Sequence, residues 1–259
     1  MLGELYKPKG EALETAQAVL ETENVYACNV AKGCCNACSY CYIPQATRGA
    51  VKRGMVSYPK EPAYEIVKKQ LHNGVNPEGV FLSFLTDPFI KPIAKDTMKL
   101  IELLQDYEIE VAVLTKLEPP AVIDGNFLRF GMSIVSSNRK FWRHFEMRTA
   151  SPIVRYYTLN KLHKAGFYTW LSVEPVPPPA IWKQDLIKQI EPFYFVDFMI
   201  FGKWNYDKRA SDEKARNYYA ETIPRFIDFC KDYGIRYHVK KATMEFALGR
   251  RDKDAEFPQ

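Results

Sequence analysis

The sequence has no long apolar run, few cysteines and little net charge. No stretch of its 259 residues approaches the roughly 18 consecutive apolar residues of a membrane span, and the start MLGELYKPKG lacks the apolar segment of a signal peptide. We therefore expect a soluble, cytoplasmic protein without a membrane partner. The 36 lysines and arginines exceed the 31 acidic residues by only five. This excess is too small and too dispersed to indicate nucleic acid, which stays possible but unsupported by charge.

The composition is that of an ordinary globular protein, since 47% of the residues are hydrophobic and 26% are charged. Disorder and fibrous architectures are therefore not indicated. The length allows one large domain, and we expect a single domain over residues 1–259. Within it we expect an N-terminal extension (1–23), a core (24–203) and a C-terminal completion by helix and strand (204–259).

Six cysteines are too few for a disulfide scaffold of this length, and four of them crowd into CCNACSYC at positions 34–41. Cross-links within so short a stretch would constrain almost nothing. Crowded cysteines of this kind indicate metal ligation in a reducing compartment.

Short apolar runs alternate with longer segments of helical periodicity, which is the pattern of repeated βαβ units. An N-terminal helix-compatible segment spans residues 12–20, and glycines at 166 and 234 stand where helices should end. Strands are predicted at 24–30, 79–85, 109–115, 127–135, 167–174, 196–202 and, more weakly, 235–239; helices are predicted at 61–73, 93–106, 151–165, 180–190 and 213–233.

These elements predict an α/β fold, either an open doubly wound sheet or a barrel of parallel strands. Both folds gather their chemistry at the carboxyl ends of the strands. Polar residues do follow the predicted strands: the cysteine loop, defined here as residues 34–44, then Thr86-Asp87, Thr115-Lys116, Ser136-Ser137-Asn138, Glu174-Pro175 and Gly202-Lys203. We therefore expect the site at this edge.

Two spacings compete within the cysteine loop. Cys35, Cys38 and Cys41 begin like a ferredoxin run, but that run lacks its next cysteine. Cys34, Cys38 and Cys41 give a complete C-x3-C-x2-C. A structural zinc site would need four closed ligands, which only Cys28 with three loop sulfurs could supply. Three thiolates on a four-iron cluster would instead leave one iron open for a substrate, which favours catalysis.

The spacing Cys34-x3-Cys38-x2-Cys41, with Tyr40 before the last cysteine, resembles the signature of the radical S-adenosylmethionine (SAM) superfamily. The segments CSYCYIP, FLTDPF, VLTK, SIVS, FEMRTASPIVRYYTLNKLHKAGFY and FGK occur in the order of the branch that includes spore photoproduct lyase. This likeness covers about residues 25 to 203. It implies a partial (β/α)6-type TIM barrel of parallel strands with outer helices.

The resemblance also implies the cofactors, a [4Fe-4S] cluster and SAM, and a low-potential electron donor of flavodoxin or ferredoxin type. Cys34, Cys38 and Cys41 would ligate the cluster. The implied SAM contacts are Tyr40 beside adenine, Ser83, Thr86 and Asp87 near the amino group, Lys116 near the carboxylate, Ser133 near the ribose, and Glu174 facing SAM or substrate.

Each assignment has a structural alternative. Tyr40 could merely cover the cluster, Asp87-Pro88 could make a turn, Lys116 could be solvated and Ser133 could be packed. Arg148 and Arg155 more simply predict an ion pair that fixes the helix beginning near Ser151-Pro152. Cys35 is expected not to bind, Cys28 and Cys230 to be buried, and the four histidines to have no chemical role.

The sequence departs from the lyase at one position that matters. The hydrogen donor of spore photoproduct lyase is a cysteine just upstream of the Ser/Thr-Asp pair, and Phe84 stands there in this chain. We therefore expect an enzyme, of lyase or transferase type, that cleaves SAM reductively to a 5′-deoxyadenosyl radical acting on an unidentified substrate. The alternatives are a DNA photoproduct lyase or nucleic-acid-modifying enzyme of the same branch, and a non-enzymatic zinc or electron-transfer protein.

Overall fold

Eight strands form one sheet in the computed structural model, which describes residues 2–120 and 125–249. Their spatial order follows the chain, and β2 to β8 are parallel while β1 runs antiparallel to β2. The strands are β1 (Leu5–Tyr6), β2 (Val25–Cys28), β3 (Gly79–Leu82), β4 (Glu110–Thr115), β5 (Leu128–Ser133), β6 (Tyr168–Val176), β7 (Phe198–Lys203) and β8 (Arg236–Val239).

Helices lie between most consecutive strands, since parallel neighbours need crossover connections; among the described residues, none lies between β4 and β5. They are α1 (Glu11–Leu20), α2 (Ile43–Ala46), α3 (Ala63–His72), α4 (Ala94–Asp106), α5 (Arg139–Phe145), α6 (Pro152–Lys164), α7 (Leu186–Ile190), α8 (Glu213–Asp232) and α9 (Lys241–Leu248). Within the described residues, no helix is long and apolar enough to cross a membrane.

The sheet is apolar on both faces because alternate residues of each strand point in opposite directions. Val80 and Leu82 of β3 join the large core beneath the outer helices, whereas Phe81 between them packs on the inner face with Trp170. Helix α1 covers that inner face with Ala16, Val19 and Leu20. The linear strand order leaves the sheet unclosed, so the predicted partial barrel is confirmed and the doubly wound alternative is excluded.

The seven predicted strands and all six helical segments are present, although α7 is shorter than the segment 180–190. Gly166 and Gly234 lie just after α6 and α8 with φ of 87° and 67°, the left-handed conformation that ends helices. The sequence reasoning missed β1, α2, α5 and α9. These elements are short, and their periodicity covers too few residues to be recognised.

Candidate active site

A cavity of about 570 Å³ opens at the carboxyl ends of the parallel strands. Each parallel strand contributes to its wall, either directly or through the loop that follows it, because the carboxyl ends of parallel strands meet at one edge. All ten residues predicted from the sequence line this cavity: Cys34, Cys38, Tyr40, Cys41, Ser83, Thr86, Asp87, Lys116, Ser133 and Glu174.

The cysteine loop forms one wall of the cavity. Cys38 is buried, and Cys34, Cys35 and Cys41 are half-buried. Both Cys34 and Cys35 pack against the core beneath the outer helices, but only Cys34 of the two is part of the lining. Burial raises the pKa of the Cys34 thiol to about 12 and that of Cys38 to about 11. Because thiolates are the ligating form, a bound metal would have to stabilise these sulfurs as anions.

The three cysteines line one cavity but do not form a site for a single metal ion among the described residues. Within residues 2–120 and 125–249, no three His, Cys, Asp or Glu side chains converge on the position of a single metal ion. A tetrahedral zinc site, with Zn–S bonds of about 2.3 Å, depends on such convergence. A cluster of several irons distributes its thiolate ligands over different metal atoms.

Asp87 joins the ends of β3 and β4 to the cysteine loop. Its Oδ1 accepts hydrogen bonds from the backbone N–H of Phe89 (3.0 Å) and from the Thr115 hydroxyl (2.8 Å). Its Oδ2 accepts from Asn36 Nδ2 (3.1 Å) and from the Lys116 backbone N–H (2.8 Å). These four bonds occupy the acceptor sites of a carboxylate. Burial raises the pKa of Asp87, although the donors oppose that shift.

Asn29 organises the residues that follow β3. Its Oδ1 accepts hydrogen bonds from Ser83 Oγ (3.1 Å) and from the backbone N–H groups of Phe84 and Leu85 (both 3.0 Å), and its Nδ2 donates to the Tyr6 hydroxyl. Next to this segment, Thr86 also lines the cavity, and its hydroxyl is buried. It has no hydrogen-bond partner among the described residues. A buried hydroxyl without a partner is costly unless a ligand or water satisfies it.

Tyr40 is held by a buried ion pair. Its hydroxyl donates to Glu146, and Glu146 Oε2 lies 2.5 Å from Nη2 of Arg155. Arg155 also donates to the backbone oxygens of Ser133 (2.8 Å) and Ala150 (2.9 Å). The ion pair predicted at the start of α6 is therefore present for Arg155, and it reaches further, to the cysteine loop and to the end of β5.

The ammonium of Lys116 lies 5.7 Å from the centre of the Tyr40 ring and lines the cavity. No carboxylate pairs with it in the described parts of the chain. On the next two strands, Ser133 of β5 and Ser172 of β6 occupy paired positions, and both line the cavity. One cation and two small polar residues thus line the cavity along three neighbouring strands.

In another part of the cavity lining, both Glu174 oxygens contact the Lys240 ammonium, at 2.9 and 2.8 Å. Burial lowers the pKa of Lys240, but the Glu174 carboxylate outweighs that effect and the pKa is raised. Gly202 leaves room for this arrangement, since a Cβ there would lie 2.6 Å from the Glu174 carboxyl carbon. Lys203, considered with Glu174 from the sequence, instead donates to Asn205 at 2.6 Å and is not part of the lining.

Phe84, which stands where spore photoproduct lyase has its donor cysteine, is an apolar ring. Phe84 lines the cavity and stacks on Phe81, with ring centroids 4.4 Å apart. The Tyr42 hydroxyl donates to the Phe84 backbone oxygen. An aromatic side chain is therefore built into the wall at the point where the sequence departs from spore photoproduct lyase.

Sequence reasoning missed four residues of this arrangement: Asn29, Glu146 as a partner of Tyr40, Ser172 and Lys240. Asn29 follows directly after β2 and Ser172 lies within β6, so polarity near the strand ends could have identified both. Lys240 follows directly after β8 and offered the same signal. Glu146 offered none, because Tyr40 is distant in sequence.

Comparison with known proteins settles the family. The model of a family described as the radical SAM superfamily matches residues 28–179. The chain belongs to this superfamily. It is therefore an enzyme of a superfamily whose members use SAM and an iron–sulfur cluster and need a reductant.

Solved radical SAM structures share the fold. A spore photoproduct lyase complexed with dinucleoside spore photoproduct is 19% identical, with a TM-score of 0.58 over 83% of this chain and 76% of that chain. SuiB of Streptococcus suis, bound to S-adenosylmethionine, is 12% identical, with a TM-score of 0.53 over 87% and 54% of the two chains. At these identities the likeness is one of fold.

A curated relative is similar over a shorter region. The ribosomal protein uS12 methylthiotransferase RimO of Thermoanaerobacter sp. (strain X514) is 36% identical over 36% of this chain and 24% of its own length. The chain thus spans about a quarter of the length of that relative.

The residues present fit the cofactors of the superfamily. Three cysteines, a buried hydroxyl without a partner in the described chain and an ammonium without a carboxylate face one cavity. Thiolates are the ligands of iron–sulfur clusters, and the remaining groups suit a polar, zwitterionic ligand such as SAM.

Proposed function

We propose that this enzyme holds a [4Fe-4S] cluster on Cys34, Cys38 and Cys41 and cleaves SAM reductively, producing a 5′-deoxyadenosyl radical that acts on a substrate still to be identified. The observation that carries this proposal is the presence of the three cysteines in one cavity with the Thr86 hydroxyl and the Lys116 ammonium. Cys35, outside the lining, takes no part. When bound, the reduced cluster supplies the electron that breaks a carbon–sulfur bond of SAM.

The described side chains provide for each polar part of SAM. Lys116 is suited to the carboxylate, because an ammonium without a carboxylate partner gains a charge-assisted hydrogen bond there. The hydroxyl of Thr86 is suited to accept from the amino group, with Ser83 beside it. Ser133 is suited to the ribose hydroxyls, and we add Ser172, its neighbour on β6, to that role.

Two of the predicted SAM contacts have a further task. Asp87 already accepts four hydrogen bonds from the chain, so it positions Thr115, Lys116 and the cysteine loop whether or not it also meets SAM. The Tyr40 hydroxyl is engaged with Glu146, which leaves its ring and backbone for the adenine. Glu174 is already paired with Lys240, so we assign it to the substrate rather than to SAM.

Cleavage of SAM can be measured directly. The protein is reconstituted with iron and sulfide under anaerobic conditions, reduced, and incubated with SAM. We expect about four irons per chain and formation of 5′-deoxyadenosine. A cluster that reduces normally but yields neither 5′-deoxyadenosine nor an adenosyl or aminocarboxypropyl adduct would refute the proposal. Formation of 5′-methylthioadenosine would indicate cleavage of a different carbon–sulfur bond.

The alternatives predict different measurements. A DNA photoproduct lyase should bind DNA with strong salt dependence, because phosphate neutralisation releases counterions. Phe84 offers it no sulfur donor at the position where that lyase has its cysteine. A zinc protein should be colourless and contain one zinc, whereas a purely electron-transferring protein should contain iron and leave SAM intact.

A further inference from the structure

Two segments of the sequence are nearly free of acidic residues. Residues 24–60 contain no Asp or Glu but five lysines and arginines, and residues 125–173 contain one acidic residue, Glu146. Glu146 is buried and paired with Arg155. Neither segment therefore presents a negative charge on the surface.

Folding brings these two segments together around the cysteine loop. The backbone N–H of Ser39 donates to the Phe145 backbone oxygen at 2.9 Å, which joins the loop to α5. A Cβ on Gly54 would lie 3.6 Å from the Cβ of Ala37 and 3.9 Å from Nη1 of Arg148. The segment after α2, the cysteine loop and the residues after α5 therefore adjoin one another.

Seven of the exposed lysines and arginines in these two segments form a surface that we name the basic face. None of them lines the cavity. Two exposed methionines, Met55 and Met147, lie in the same segments. The basic face consists of Arg48, Lys52, Arg53, Arg139, Lys140, Arg143 and Arg148.

The arginines of the basic face differ from the other arginines of the protein. Among the described residues, all six arginines elsewhere form an ion pair with a carboxylate. None of the five in the basic face does so within residues 2–120 and 125–249. An ordinary solvated surface mixes both signs of charge. The basic face thus has the charge of an interaction surface for an acidic partner.

We propose that the basic face docks an acidic one-electron carrier protein, which reduces the cluster. The inference rests on the proposed function, because it requires a cluster at the cysteine loop. One electron passes from the carrier to the cluster, so the carrier is oxidised as the cluster is reduced. Ser39, between Cys38 and Tyr40, is exposed beside α5, and docking there gives the electron a short path.

The residue types of the basic face favour a protein partner over nucleic acid. Methionine and arginine are enriched in protein–protein interfaces, and complementary charge accelerates the association of two proteins. The charged end of the cavity, in contrast, pairs Lys240 with Glu174 and also contains Glu11. A phosphate backbone that reached this end of the cavity would therefore meet carboxylates, whereas a carrier on the basic face stays outside the cavity.

The test uses the full-length holoenzyme and an acidic flavodoxin as the probe. The variant R53E/R143E/R148E reverses three charges of the basic face, and K95E/K99E/K164E makes the same change of charge at exposed lysines on α4 and α6. Flavodoxin affinity is measured at low and high salt, and SAM cleavage is measured with reduced flavodoxin and separately with dithionite.

We expect R53E/R143E/R148E to lose at least about tenfold in flavodoxin affinity and in the rate of SAM cleavage driven by flavodoxin, because repulsion replaces attraction. Its iron content and its rate of SAM cleavage with dithionite should match those of the wild type, and K95E/K99E/K164E should match the wild type in every measurement.

Equal losses in both variants, or a wild type that does not bind flavodoxin at low salt, would overturn the proposal. So would duplex DNA binding that depends on the face while flavodoxin binding does not. Failure of dithionite to drive SAM cleavage would instead count against the proposed function, because flavodoxin binding is measured independently.

Discussion

Glu146 and Arg155 form a buried ion pair, with Oε2 and Nη2 2.5 Å apart and side chains only 2% and 1% exposed. The pair links three parts of the site. Glu146 accepts from Tyr40 in the cysteine loop, and Arg155 donates to the backbone oxygen of Ser133 at the end of β5. A single pair of side chains therefore fixes the position of the cysteine loop relative to the end of β5, where Ser133 is proposed to contact SAM.

Removing one member of this pair should destabilise the protein strongly. Glu146→Gln leaves the Arg155 guanidinium buried without its counter-charge, which typically costs about 3 to 5 kcal/mol. The free energy of unfolding, measured with denaturant on the apoprotein, checks this. Tyr40→Phe is the matched control, since it removes only a hydroxyl and should cost about 1 kcal/mol. A loss in Glu146→Gln no larger than in the control would contradict the prediction.

The same pair should make stability depend on pH. Burial opposes ionisation of Glu146, but Arg155 and Lys116 outweigh it and the pKa of Glu146 lies below its ordinary value. A lowered pKa means that the stabilisation is present above the unfolded-state pKa near 4.3 and is lost as the pH falls through the folded-state pKa. The difference in unfolding free energy between wild type and Glu146→Gln should therefore shrink below about pH 4.3. A difference that is constant between pH 7 and pH 3 would be inconsistent with this pKa.

The two adjacent cysteines should behave differently. Cys34→Ala should lose most of the reconstituted iron and the visible absorbance of the cluster, because Cys34 lines the cavity. Cys35→Ala should retain both, since Cys35 is not part of the cavity lining. Iron and sulfide analysis after anaerobic reconstitution distinguishes the variants. The reverse pattern would instead support the ferredoxin spacing of Cys35, Cys38 and Cys41.

The Thr86 hydroxyl should strengthen SAM binding and lower the free energy of unfolding of the apoprotein. Thr86→Val keeps the shape but removes the hydroxyl that has no partner in the described chain, so we expect the apoprotein to gain about 1 kcal/mol in unfolding free energy. SAM affinity of the reconstituted protein, measured by calorimetry, should fall about two- to tenfold.

Thr115→Val is the control for Thr86→Val, because its hydroxyl donates to buried Asp87 at 2.8 Å. Loss of that donor should lower the free energy of unfolding by about 1 to 3 kcal/mol. If Thr86→Val destabilised the apoprotein as much as Thr115→Val, the hydroxyl would have an intramolecular role and our assignment to SAM would be wrong.

The parallel strands and the cavity residues could be predicted because both depend on local patterns. Apolar runs identified β2 to β8, and the first polar residues after them, such as Thr86 and Lys116, had to meet at one edge of a parallel sheet. The segments shared with the spore photoproduct lyase branch were informative for the same reason, since each lies at a strand end or on a helix. Asn29 followed a strand as well, but its amide had no recognisable partner until Ser83 and Leu85 were beside it.

The fold class, the family and the crowding of the cysteines could be read from the chain, because hydrophobic alternation and close cysteine spacing act between near neighbours. Which charges are paired depends on the folded structure. Glu174 meets Lys240 across 66 residues, and Gly54, next to Arg53, approaches Arg148 only after the cysteine loop packs on α5. Electrostatic energy depends on distance in space and on burial, and neither can be read from the order of residues. The basic face, dispersed in the sequence, exists only once the chain is folded.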